Sequence, residues 1–430
     1  MNHLKHPLLN GVRIIDLTWL LAGAGGPRFL AAMGAEVIRV EWIGKLDFLR
    51  MGPPSVPLEE GGKEEVTTIG AATPDMVKSL NRNGDFNDIN PGKKGVSLNL
   101  SHPKGKELLK KLVAQADVVM ESYSATAMDE MGVGFDVLRE VNPELIYVQA
   151  SGWGKEGPYA NYLTYGPTAQ AITGLTDQSG LPNREPAGWG FSYMDHSGAY
   201  YVGLATLLAL YRKKRTGKGG YVDMAQAGSG LLLTGTAVLD YSANGRHYER
   251  TGNRSPYLPA APHGAYRCAG EDKWIAIACF NETQWHGLLT ATNSDDLADG
   301  RFATLAGRLA RQDELDTALA LWTRQMDPYV AMDVLQRHGV PAGVCQTAED
   351  RVENDPQLSA RNWLVKLPHS EIGTWPVQGL PFDYRRGTAA VGEPLDRAAP
   401  CYGEDNASVY RDLLSLDESA LATLRDENVI

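Results

Sequence analysis

Only four of the 430 residues are cysteine, at positions 268, 279, 345 and 401. They form no CxxC pair and no metal-like spacing, so reduced cytoplasmic thiols are expected rather than a disulfide framework. The nine histidines are scattered without an HExxH or similar cluster, which argues against a metal site. No apolar run is long enough to span a bilayer; the richest, near residues 199–210, is interrupted by Gly and Tyr. The opening MNHLKHPLLNG lacks the apolar core of a signal peptide. Positive charge is also in short supply: 52 acidic against 41 basic side chains give a net charge of −11. That balance argues against a general nucleic-acid binder. The 46 glycines and 24 prolines form no low-complexity block, and no fixed-period repeat is present. A soluble cytoplasmic protein is expected, with neither membrane nor nucleic acid as partner.

What the chain does contain is enough apolar residue, 43%, for a sizeable core, over a length that suits two domains. VRIIDLT reads as a buried parallel strand, and AGAGGPRFLAAMGA as a loop turning into a helix with Pro27 in its first turn. EVIRVE, DVVMES and LIYVQAS continue as strands, with HPKGKELLKKLVAQA and FDVLREV as helices between them. Such alternation predicts an α/β fold with a parallel sheet. A long helix near 197–213 is followed by a strand-like and then helical stretch. The domain reading is a large unit over 1–225, a linker over 226–260, a small α+β domain over 261–350, and a linker and C-terminal segment over 351–430 that returns to the large domain. GAYRCAGEDKWIAIACF in the small domain reads as a hairpin.

Four places invite chemistry. Gly23, Gly25 and Gly26 follow a strand and precede a helix, with Glu41 ending the next strand, close to a dinucleotide fingerprint. Arg28 stands at the third glycine position, which leaves backbone N–H groups facing a phosphate or other anion as the general reading. Lys93 and Lys94, in a turn after Asn-Pro-Gly, are candidate phosphate contacts or simply solvated charges. Tyr123 lies at a strand's C-terminal end, where open α/β sheets bind ligands, and offers a face for a purine. Asp195 opens the long helix after GWGFSYM; its leading reading from the residues is a helix N-cap or first-turn carboxylate, and the same geometry also suits a nucleophilic carboxylate ionised at neutral pH. Both readings of Asp195 stay open on the residues alone.

In order and spacing, GVRIIDLTWLLAGAGGPRFLAAMGAEVIRVE, NPGKKGVSLNL, ADVVMESYSATAMDEMGVGF, NPELIYVQASGWGKEGPY, RTGKGGYVDMAQ, HGVPAGVCQTAEDRVENDPQLSARNWLV and EIGTWPVQGLPF resemble the class III CoA-transferases (formyl-CoA and carnitine CoA-transferases, the CaiB/BaiF group). The resemblance implies a Rossmann-like large domain, a smaller α+β domain and a dimer of interlocked rings. It makes Asp195 the nucleophile. It places Trp19, Leu21, Ala22, Lys93, Lys94, Tyr123, Ala127 and Ser151 around coenzyme A, which is a substrate; no prosthetic group is implied. Leu21 replaces a glutamine of the family, Glu130 a frequent arginine, and the glycine-run loop of formyl-CoA transferase has no counterpart.

The implied reaction moves CoA from a donor thioester, succinyl-CoA on metabolic grounds, to a carboxylic acid through an aspartyl anhydride and an aspartyl-CoA thioester. Trp189, Phe191, Tyr193 and Tyr257 suggest an aromatic acceptor pocket or core packing. The alternatives are a 2-methylacyl-CoA racemase and a non-catalytic CoA-binding subunit. Racemases of this superfamily carry Gly-His-Asp where this chain has Thr164-Tyr165-Gly166. The implied partner is a second copy or a related subunit.

Overall fold

The computed structural model describes residues 6–51, 56, 80–382, 389–390 and 395–430. The chain divides into two compact units, one of Met1–Thr176, Trp189–Asn244 and Ser359–Ile430, the other of Asp177–Gly188 and Gly245–Leu358. The first unit opens with β1 (His6–Pro7), β2 (Arg13–Leu17), α1 (Leu20–Ala32), β3 (Glu36–Glu41), α2 (Gly84–Ile89), β4 (Lys93–Ser97), α3 (Pro103–Val113) and β5 (Val118–Glu121). It continues with α4 (Ala127–Glu130), α5 (Phe135–Val141), β6 (Ile146–Ser151), α6 (Gly166–Ile172), α7 (Tyr193–Thr216), β7 (Gly220–Ala225), α8 (Gln226–Leu233) and α9 (Gly235–Asn244).

β2 to β7 form a six-stranded parallel sheet in the order β4-β3-β2-β5-β6-β7. Successive strand residues face opposite sides, and both sides are covered, which is why these strands read as continuous apolar runs. Ile14, Val37, Val118 and Ile146 pack with Leu30 of α1 and Val202 of α7. Ile15, Ile38, Val119 and Tyr147 pack on the other face with Leu108, Leu109 and Leu112 of α3. Val409, Tyr410 and Leu421, from the C-terminal helices Asn406–Leu414 and Glu418–Asp426, join that second layer. Each fully buried aliphatic side chain stabilises the fold by roughly 1.5–3 kcal/mol.

The order reverses between β2 and β5, where Leu17 and Glu121 lie opposite each other in register. A crevice opens beyond the C-terminal strand ends at such a switch point. The glycine-rich segment beside it is not a loop: Gly23, Gly25, Gly26 and Pro27 all lie inside α1. Their amides are therefore helical, and the anion-binding reading of that segment is replaced by a packing role. A Cβ on Gly25 would lie 2.5 Å from the Ala199 Cβ, and one on Gly26 2.4 Å from the Val202 Cγ1. Glycine lets α1 and α7 approach this closely. Arg28, in the same helix, is buried and donates to the carbonyls of Asp88 and Gln378.

The second unit has its own core around Trp285, Leu288, Phe302, Leu315 and Leu335. β8 (His263–Arg267), β9 (Trp274–Ala278) and β10 (Ala342–Val344) pair antiparallel in the order β10-β9-β8. The segment 226–260 differs from a linker: α8 and α9 occupy its first part in the first unit, and residues from Gly245 belong to the second. The Gly- and Pro-rich composition that suggested a linker is concentrated after Asn244, while the preceding GLLLTGTAVLDY is apolar enough to continue a helix.

Gly26→Ala should lower stability by about 1–3 kcal/mol, the usual effect of overpacking, because its Cβ has nowhere to go. Gly235→Ala, whose Cβ would meet nothing within 4 Å, should stay within about 1 kcal/mol of the parent. Urea midpoints of both variants check this; equal stabilities would remove the close-packing account.

Candidate active site

The loops leaving β2, β5 and β6 meet the N-terminal end of α7 around a cavity of about 140 Å³. Trp19, Ala22, Tyr123, Ser151 and Asp195 line it, so five of the nine residues singled out from the sequence converge there. Trp19 and Tyr123 meet edge to face, with ring centroids 5.5 Å apart. Leu20, Ser122, Thr164, Tyr165 and Gln226 also line the cavity. Leu20, Ser122 and Gln226 lie within the segments that carry the family resemblance but were not singled out as site residues.

The loop after β2 is held by side chains from several elements. The Asp16 carboxylate accepts from the Thr18 N–H (2.9 Å) and hydroxyl (2.6 Å). The Thr18 carbonyl accepts from Arg39 (2.9 Å), and the Trp19 N–H donates to the Ser122 hydroxyl (2.8 Å). Leu20 sits at φ +56°, a conformation costly for a residue with a Cβ, of order 1–3 kcal/mol. Its N–H donates to Asp47, which is itself paired at 2.6 Å with the buried Arg39.

The remaining candidates lie elsewhere. Lys93 and Lys94 are not in a turn but begin β4. The Lys93 ammonium is fully buried, 2.9 Å from both Asp16 and the Ala24 carbonyl, and burial pulls it down to about 8. It is an internal ion pair rather than a surface charge. Lys94 pairs with Glu36 at 2.7 Å. Glu41, the candidate ribose ligand, is buried between Arg39 and Arg50. Leu21 lies in the first turn of α1 and Ala127 at the start of α4, neither lining the cavity. Trp189, Phe191 and Tyr193 pack on one another outside it, and Tyr257 belongs to the second unit.

Asp195 is inside the first turn of α7, three residues past the N-cap Ser192. It is the only carboxylate among the described lining residues, which include no His, Lys or Arg. Burial pushes its carboxyl above the usual range, against hydrogen bonds from the Gln226 amide, the Ser192 hydroxyl and the Gly166 N–H, with the His196 ring nearby. The Gln226 Nε2 donates to Oδ1 at 2.7 Å. A Cβ at Gly166 would stand 2.6 Å from Oδ2, so glycine is what lets α6 come against the carboxylate. A carboxylate that is raised in basicity, yet held by donors and facing a small cavity, is suited to attack on a carbonyl.

The sequence profile of CoA-transferase family III matches residues 9–406. The chain belongs to that family. It is 31% identical to succinyl-CoA–D-citramalate CoA-transferase of Chloroflexus aurantiacus, over 98% of each chain. It is 32% identical to acetyl-CoA:oxalate CoA-transferase of Acetobacter aceti, over 83% of this chain and 85% of that one. Succinate–glutarate CoA-transferase of Agrobacterium fabrum is 29% identical over 97% and 98%. The crystal structure of a CaiB/BaiF family protein from Brucella suis superposes with a TM-score of 0.81 at 30% identity, covering 95% of this chain and 100% of that one. This family III CoA-transferase is thus an enzyme, and CoA thioesters are its substrates.

Beneath the Ser122–Tyr123 loop of the transferase lies Glu121, 1% exposed, accepting from the Tyr123 N–H at 2.7 Å. Burial pushes its carboxyl from 4.5 up to about 7. Between these values the unfolded chain releases the proton while the folded one keeps it, so stability falls as pH rises. The drop expected from Glu121 is on the order of 3 kcal/mol across that window, with no further slope from this group above it. Urea unfolding against pH should show the slope in the parent and lose it in Glu121→Gln; identical slopes would contradict the assignment.

Proposed function

We propose that this enzyme transfers CoA from a donor thioester to a free carboxylic acid, with Asp195 as covalent nucleophile. The observation that carries the reading is the solitary, partly buried Asp195 carboxylate at the switch-point cavity, surrounded by hydrogen-bond donors. Asp195 attacks the donor carbonyl, giving a mixed anhydride and CoA thiolate. The thiolate attacks the aspartyl carbonyl, releasing the donor acid and leaving an aspartyl-CoA thioester. The acceptor carboxylate then reverses the two steps. Dividing the exchange in this way replaces one difficult displacement by easier ones.

A cavity of about 140 Å³ suits the reacting thioester end and a small acyl group, not a whole CoA. The nucleotide therefore extends outward past Trp19 and Tyr123. Succinyl-CoA is the proposed donor, supported by relatives named for succinyl-CoA–D-citramalate and succinate–glutarate exchange. Racemisation is disfavoured because proton exchange at a carbon needs an acid and a base on opposite sides. Thr164, Tyr165 and Gly166 supply neither an imidazole nor a second carboxylate to the cavity.

The surface of α7 supports a dimer as the oligomeric state. One stripe of this helix, with Ala199, Val202 and Thr206, is buried. Tyr200, Leu204, Leu208 and Tyr211 form a second apolar stripe that is more than half exposed. Leu232 of α8 and Leu239 of α9 are exposed to a similar degree. Apolar surface of this extent calls for a cover, and we take it to be a second copy, in the interlocked arrangement the family resemblance implies.

Asp195→Ala should lose CoA transfer while retaining CoA binding by calorimetry, and the parent should exchange no α-proton of a 2-methylacyl-CoA for deuterium. An active alanine variant would eliminate the mechanism. Sedimentation should show a dimer at micromolar concentration; a monomer would refute the proposed assembly.

A further inference from the structure

We propose that Gln226 is a further catalytic residue, whose side-chain amide is the oxyanion donor for the carboxyl group of Asp195 itself. The inference rests on Asp195 being the nucleophile.

The geometry is built for a fixed donor. Gln226 is 6% exposed and begins α8 directly after β7, whose last residue, Ala225, pairs in register with Ser151. Its carbonyl accepts from the Ser229 hydroxyl at 2.7 Å, and a Cβ on Gly198 would approach its Cγ to 3.2 Å. Gly198, one turn beyond Asp195 on α7, thus leaves just enough room for the glutamine stem. From there Nε2 reaches Oδ1 at 2.7 Å. The other oxygen, Oδ2, faces the Cβ-free Gly166. The two carboxylate oxygens are therefore held differently: Oδ1 accepts from the Gln226 amide and Oδ2 stands against Gly166, while the Gly166 N–H and the Ser192 hydroxyl also donate to the carboxylate.

The chemistry makes use of that asymmetry. When Oδ2 attacks the donor thioester, a C–O bond forms, the C–S bond breaks and CoA leaves as thiolate. The thiolate then attacks Cγ of Asp195. As the C–S bond forms, the carbonyl electron pair moves onto Oδ1; the alkoxide collapses and expels the donor acid as carboxylate. Attack of the acceptor carboxylate on the aspartyl thioester raises charge on Oδ1 a second time and expels the thiolate. Twice per cycle, then, negative charge gathers on the oxygen to which Gln226 already donates. A buried, preorganised donor strengthens toward such an alkoxide and needs no reorganisation. A cationic side chain in the same place would stabilise the resting carboxylate and so lower its basicity and nucleophilicity. An amide donates without carrying charge or competing as a nucleophile.

Gln226→Leu should lower kcat by roughly a hundred- to a thousandfold, the usual effect of losing one oxyanion donor, with KM for the acyl-CoA near that of the parent. Gln226→Glu should be most active at acid pH, where its protonated carboxyl can donate, and lose activity as pH rises and a second carboxylate forms beside Asp195. The parent should instead lose activity on the acid side, as Asp195 protonates. A leucine variant with parental kcat, equal losses in kcat and acyl-CoA affinity, or a glutamate variant that follows the parental pH profile would each overturn the proposal. Asp195→Ala assayed alongside separates the two claims: if it still transfers CoA, the nucleophile reading fails; if it is inactive, the Gln226 variants test the donor alone.

Discussion

The candidate active site depends on how closely two helices approach. α7 carries Asp195, but nothing in its own sequence says where that carboxylate will stand. Gly25 and Gly26 of α1 decide it, because without side chains they admit Ala199 and Val202 of α7 to distances no Cβ would allow. Since α1 springs directly from the end of β2, the same contact brings the first turn of α7 to the crevice between β2 and β5. Gly166 and Gly198 repeat the device at shorter range, admitting the Asp195 carboxylate and the Gln226 stem. At these four positions glycine creates proximity rather than a loop.

A second constraint is electrostatic. Asp16, Arg39, Glu41, Asp47, Arg50 and Lys93 are all buried beside the β2 loop, linked by pairs as close as 2.6 Å. Buried ion pairs are weak contributors to net stability, since desolvation offsets most of their attraction. Their visible role here is geometric. Arg39 holds the Thr18 carbonyl, Asp16 the Thr18 amide, and Asp47 the amide of Leu20 in its left-handed conformation. The turn that presents Trp19 and Leu20 to the cavity is thus determined by buried charges that do not line it.

These two constraints explain what could be read from the sequence and what could not. Strand and helix alternation showed the parallel sheet, because strands buried on both faces are continuously apolar. The role proposed for Asp195 was suggested only by its neighbours in sequence order, since an aspartate at a helix start has a structural explanation of its own. The glycines were visible but misread: spacing after a strand suggests an anion loop, and only the proximity of Ala199 and Val202 of α7, far along the chain, reveals packing. Lys93 was misread for a related reason. A lysine following Asn-Pro-Gly looks solvated until Asp16, from a strand two places away in the sheet, is seen to meet it. Gln226 ends the RTGKGGYVDMAQ segment but was not singled out, because a glutamine becomes informative only when its partner is known.

The central claim, that the Asp195 carboxylate enters the reaction covalently, makes a demand on oxygen. In the proposed cycle one Asp195 oxygen departs with the donor acid and is replaced by an oxygen of the acceptor. Turnover with an acceptor labelled with oxygen-18 in its carboxylate should therefore leave label in the peptide that carries Asp195, read by mass spectrometry after digestion. Label at Asp195 that grows with turnover is the result the account predicts. Full product formation with an unlabelled Asp195 would contradict it.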